Sequence, residues 1–168
     1  MVQRALFVLA WLYFIATPPS IGQPGHQWFG SEAVRLTLGN GINSAVSLWR
    51  SPADERAELR IMVVRQYDPI DATGAWLWVG KESHLLPCTG IETSFFHTEG
   101  FRTCFTSFRG HDRATTISRC MLDWETSQRI IDGAAVELQV DTELKLLKRK
   151  RLSGKQLARL TSLRPIPD

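Results

Sequence analysis

The sequence predicts a mostly β domain, sandwich or barrel-like, with one or two short helices in its C-terminal third. Three observations carry this. Short runs alternate apolar and polar residues with the period of half-buried strands. Turn-forming residues punctuate them at intervals of about 8–12 residues, the rhythm of sandwiches and barrels. After Cys120 the pattern changes to helix-capping signals.

In chain order, Val34–Leu38 sets Val34, Leu36 and Leu38 against Arg35 and Thr37. Ala45–Trp49 alternates Ala45, Ser47 and Trp49 with Val46 and Leu48, and Leu59–Val64 is denser. Ala75–Val79 puts Trp76 and Trp78 on one face. Phe95-Phe96 and Phe101–Phe108 add two runs. Gly39-Asn40-Gly41, Asp68-Pro69, Thr73-Gly74, Gly100 and Arg109-Gly110 supply turns. Asp123 is placed to cap a helix over Trp124–Ile131, and Gly133 to end it. Ala135–Val140 returns to strand alternation. Ser153 and Gln156 have the spacing of a capping box, with Leu157 and Leu160 on one face of a short helix that Pro165 stops. Glu143–Leu152 reads either as a weak strand or as an extension of that helix.

Residues 1–22 read as a secretory signal. Arg4 gives the positive end, Ala5–Ala16 is an uncharged apolar run, and Ser20-Ile21-Gly22 puts small residues before Gln23. The run falls short of the roughly 20 residues a membrane-spanning helix needs. The expected location is therefore periplasmic or secreted, with residues 23–168 forming a single domain. Hydrophobic residues at 43% and charged residues at 22% exclude a disordered tail or a collagen-like repeat.

An exported chain is expected to hold a disulfide. Cys88, Cys104 and Cys120 allow three single pairings. The favoured one is Cys104–Cys120, two apparent strands joined by the polar stretch Arg109–Arg113, which leaves Cys88 as a buried free thiol. His84, Cys88, His97, Cys104 and His111 are zinc-type ligands, but the close pairs of structural zinc sites are missing. No phosphate-loop, dinucleotide or metalloprotease motif occurs, so no metal and no cofactor is expected.

The order of motifs resembles the invasion-associated locus B proteins, small exported β-rich proteins. His84-Leu85-Leu86-Pro87-Cys88-Thr89-Gly90 matches their LLP-x-G turn, and Gly100-Phe101-Arg102-Thr103-Cys104 their GF-x-x-C strand. Cys120, a helix ending at Gly133, a Val-Glu-Leu-Gln strand and a final strand and helix follow in the same order. The resemblance covers about residues 84–160 and implies export and host interaction, not a reaction.

Charge gives the sharpest functional signal. The chain totals +3, yet residues 145–168 hold eight basic residues against one acid, or +7. Residues 23–144 hold 11 basic residues against 16 acids, or −5. The basic segment 145–164 is either a protected sheet edge or a surface for an anionic partner. The expected function is a non-catalytic binding protein, host-interacting or envelope-associated. It would use Lys148, Arg149, Lys150, Arg151, Lys155 and Arg159 to engage lipid headgroups, polysaccharide or a protein. Nucleic acid is set aside for an exported chain. Self-association, basic end to acidic body, is a further reading. The alternatives are an inhibitor-like module that plugs a partner enzyme with Arg109–Arg113, and a hydrolase whose triad is dispersed in sequence.

Overall fold

A computed structural model of the chain describes residues 27–37, 43–66, 68–98, 101–102, 107–108, 111–144 and 146–166. The expected signal, 1–22, lies outside the described residues, and so does Cys104.

Among the described residues twelve strands and two α-helices follow one another. They are β1 (Phe29–Ser31), β2 (Val34–Thr37), β3 (Asn43–Ser51), β4 (Arg56–Gln66), β5 (Ala72–Val79), β6 (Glu82–Thr98), β7 (Phe101–Arg102), β8 (Ser107–Phe108) and β9 (His111–Leu122). Then come α1 (Trp124–Ile131), β10 (Val136–Thr142), β11 (Lys150–Arg151), α2 (Gly154–Thr161) and β12 (Leu163–Pro165). Ten strands make one antiparallel sheet in the order β11-β10-β5-β6-β9-β4-β3-β1-β12, with β2 also on β3. β7 and β8 pair separately, so the Phe101–Phe108 run is two short strands.

The expected mostly β class with short C-terminal helices is the one observed. The largest departure is β6, which runs 17 residues straight through the expected turn at 84–90. Its first part, to Pro87, pairs with β5; from Cys88 onward it pairs with β9. Pro87 has no N–H to donate, and it sits where one ladder ends and the next begins, so its missing donor breaks neither. A bulge between Gly90 and Glu92 follows the switch.

One apolar core joins both halves of the sheet. Leu48, Leu59 and Ile61 from β3 and β4 meet Leu77 of β5 and Leu138 of β10, all essentially inaccessible. Ile130 of α1 and Leu160 of α2 fill the ends. The sheet is therefore coiled, and the space between Leu59, Leu77, Ile130, Leu138 and Leu160 leaves no room for a water molecule.

The C-terminal segment closes the coil. It leaves β11 at one sheet edge, forms α2, and enters β12 at the other edge against β1. An eight-residue helix spans only about 12 Å, so the two edges face each other across a narrow seam. Ile166 N–H donates to Trp28 C=O at 2.9 Å and clasps the chain ends. Both caps form as the sequence predicts. Asp123 accepts from Thr126 N–H at 2.7 Å, and Ser153 with Gln156 makes a complete capping box.

The disulfide corrects the expected one. Cys88 bonds to Cys120, directly opposite on β6 and β9, with Cα atoms 4.1 Å apart. Cys88 is not a free thiol. Cys120, bonded to Cys88, is not available to Cys104, which lies outside the described residues.

Candidate functional site

The basic segment is held as a ridge along one sheet edge. Leu147 and Leu152 are buried in the core and anchor it at both ends. Leu147 N–H donates to Val140 C=O at 2.8 Å, and Leu152 N–H to Val136 C=O at 2.9 Å. The four residues between them, Lys148, Arg149, Lys150 and Arg151, are all exposed. The chain then turns into α2, where Lys155 and Arg159 are exposed one turn apart.

The six expected binding residues divide into two kinds. Arg149 is committed internally: its Nε donates to Glu137 Oε2 at 2.5 Å, and its guanidinium lies 3.8 Å from the centre of the Trp78 ring. Lys148, Lys150, Arg151, Lys155 and Arg159 have no ion-pair partner among the described residues. They are hydrated cations, held by backbone rather than by salt bridges.

Arg159 also borders a groove of about 360 Å³ lined by Val34, Arg35 and Gln156. Gln156 Nε2 donates to Arg35 C=O at 3.0 Å and fixes α2 against β2. The groove thus lies between α2 and β2, with an arginine on each side.

Trp76 and Trp78 share one face of β5, as the alternation predicts. Trp49 is buried, while Trp76 and Trp78 are half-buried and stack with ring centres 6.2 Å apart. They share the outward face of the sheet with Arg149 and Arg151, through the register Trp78–Glu137–Arg151.

One charged cluster was not foreseen. Glu58 and Arg60 on β4 are 1% and 3% exposed, although both point away from the main core. Arg60 Nε donates to Glu58 Oε1 at 2.6 Å, and its guanidinium lies 3.3 Å from the Trp49 ring centre. Arg119 Nε approaches Glu58 Oε2 at 3.7 Å. Desolvation lowers the Arg60 pKa, Glu58 opposes this, and Arg119 adds to it. The alternation Glu58, Arg60 within Leu59 and Ile61 could have marked the pair as sharing a face, though not as buried.

Other candidates resolve simply. His97 Nδ1 and Asp112 Oδ1 pair at 2.5 Å on an exposed stretch of the β6–β9 hairpin. Among the described residues no three His, Cys, Asp or Glu side chains cluster as metal ligands. Of the expected loop Arg109–Arg113, Arg109 and Gly110 lie outside the described residues; His111–Arg113 are not loop but the start of β9. No helix among the described residues is long and apolar enough to cross a membrane.

Fold and surface together define a coiled antiparallel β domain whose seam and one edge carry a basic ridge. No protein-family model, curated protein or solved structure matches the chain.

Proposed function

We propose that this is an exported, non-catalytic binding protein that engages an anionic partner through the ridge along β11 and α2. The observation that carries the reading is the set of five exposed cations without acidic partners. They lie on a segment whose ends are anchored in the core. Evenly solvated charge would not require such a mount. The leader pattern and the Cys88–Cys120 bridge support export, because disulfides persist in oxidising compartments. The locus B resemblance supports an envelope or host-facing role.

Each Lys or Arg near an anionic membrane surface contributes about 1 kcal/mol. Five give an affinity that is weak singly and effective on a multivalent surface. The test is binding of the purified, exported protein to vesicles with and without phosphatidylglycerol, and to a soluble sulfated polysaccharide. Reversing Lys148, Lys150, Arg151, Lys155 and Arg159 to Glu should abolish binding to whichever anion is bound, with the thermal transition unchanged. Arg149 is left alone because it supports Trp78. Undiminished binding by the reversed variant removes the ridge from the account.

A further inference from the structure

The ridge has a backbone property that its charge does not require. Lys148, Arg149, Lys150 and Arg151 run along the edge of the sheet, and all four are exposed. Leu152 N–H donates to Val136 C=O at 2.9 Å, toward β10. In a planar trans peptide the C=O and the N–H point opposite ways, so Arg151 C=O points away from β10. Arg151 and Glu137 are the pair without mutual hydrogen bonds, set between bonded pairs, so Arg151 N–H points outward too. Neither group has a partner among the described residues. Glu137, opposite Arg151, is already held by Arg149. One residue thus offers an exposed guanidinium, a free N–H and a free C=O at an open edge.

The chain is fixed on both sides of that residue. Before it, Gln139 Nε2 donates to Leu147 C=O at 2.8 Å, and the Arg149 guanidinium lies on the Trp78 ring. After it, Leu152 is buried and Ser153 is locked in the capping box of α2. Buried Leu160, the pairing of β12 with β1 and the Ile166–Trp28 clasp hold the remainder. The segment beyond Arg151 is therefore secured independently of the Arg151–Leu152 bond.

We propose that Arg151 is the primary contact for a serine protease with an acidic specificity pocket, and that the chain inhibits this enzyme instead of being consumed by it. The inference rests on the ridge as a binding surface and names a protein partner for it. Recognition by strand addition uses the backbone groups of an extended edge, and Arg151 presents both of its own. A carboxylate in the pocket selects the guanidinium, and the oxyanion hole receives the outward C=O. The enzyme's serine oxygen adds to the Arg151 carbonyl carbon, and the serine proton passes through the histidine to the Leu152 nitrogen. The Arg151–Leu152 bond breaks and an acyl ester forms. In an ordinary substrate the amine departs and water cleaves the ester. Here the Leu152 amine stays beside the ester, held by the core, α2 and the clasp. A tethered nucleophile acts at high effective concentration. It re-forms the peptide bond and returns the proton to the serine, so nothing is consumed. The anchored ends also reduce the ordering cost of binding.

Trypsin, assayed with a chromogenic arginine amide, tests this. The purified, exported protein should inhibit it persistently, and mass spectrometry of the complex should find any cut between Arg151 and Leu152. Arg151→Ala should weaken inhibition at least about tenfold with an unchanged melting temperature. Arg151→Phe should lose trypsin and gain chymotrypsin, whose pocket is hydrophobic. Absence of inhibition overturns the inference, as does inhibition that Arg151→Ala retains. So does inhibition that fades while the chain is cut to completion, because the protein would then be a substrate. The ridge is judged separately. Lys155→Glu with Arg159→Glu should leave trypsin inhibition intact, and vesicle or polysaccharide binding without trypsin inhibition overturns this inference alone.

Discussion

At Glu58 a buried carboxylate accepts from the buried Arg60, whose guanidinium lies over Trp49, and is approached by the partly exposed Arg119. Removing the carboxylate would strand Arg60, which is 3% exposed, as an uncompensated buried charge. Glu58→Ala is therefore expected to cost about 3–5 kcal/mol in urea unfolding, well above a surface substitution. Arg149→Ala, which breaks a half-exposed ion pair and one ring contact, should cost about 1 kcal/mol by the same measurement. Sequence alone ranks these residues the other way, since Arg149 sits in a conspicuous basic run and Glu58 in an ordinary strand. Period-two alternation shows which residues share a face, but coverage of that face depends on distant chain. Asp123 supplies a pH test. Burial disfavours its ionised form, but hydrogen bonds from Thr126 and the nearby His84 outweigh this and hold its carboxyl below the usual range. A carboxyl depressed on folding contributes stability above its unfolded pKa and loses it as pH falls through the folded value. Asp123→Ala should thus cost about 1 kcal/mol at pH 7, and the difference from the parent should begin to shrink below about pH 4 and vanish only once pH has fallen through the lower folded value.

Among the elements, the short ones with local signals were legible. Asp123, Gly133, Ser153 and Gln156 marked both helices because capping chemistry is settled within four or five residues. The strand runs from Val34, Ala45, Leu59 and Ala75 were located for the same reason. The Phe95-Phe96 run falls within β6, but the first part of that strand was not located, because Pro87 and Gly90 read as a turn. Their place in the strand follows from an exchange of partners that only the assembled sheet shows. The long reach of β6 also hid the disulfide, since Cys88 faces Cys120 only when the β6–β9 pairing runs from Thr98 all the way back to Cys88. The element with the clearest mechanical role is α2, which bridges the seam between opposite sheet edges. Leu160 is its buried contact at 1% exposure. Leu160→Ala should cost about 2–5 kcal/mol in denaturant unfolding. Hydrogen exchange should rise first in β12 and β1 if the seam opens as a unit.

At the scale of the whole molecule, two constraints shape the fold: a covalent tie at the β6–β9 junction and a basic segment strung between opposite sheet edges. The tie joins residues 32 apart. In the chain-entropy account a loop of that length contributes about 3–4 kcal/mol. Peptide mapping of the oxidised protein should recover Cys88 linked to Cys120, and Cys88→Ser with Cys120→Ser should lower stability by up to that amount. The charge division read from the sequence, −5 against +7, survives in the fold as a refined claim. Of the six basic residues singled out, Arg149 is occupied by Glu137 and Trp78, and five remain for a partner. Binding through hydrated, exposed cations must weaken as salt shortens the screening length from about 30 Å at 0.01 M to about 10 Å at 0.1 M. The most direct test is the affinity of the purified, exported protein for phosphatidylglycerol-containing vesicles and sulfated polysaccharide, measured across that range of salt. The account predicts binding to at least one of them that falls steeply with salt and is absent at every salt in the five-residue reversal. Affinity that is indifferent to salt, or retained by the reversed variant, would contradict it.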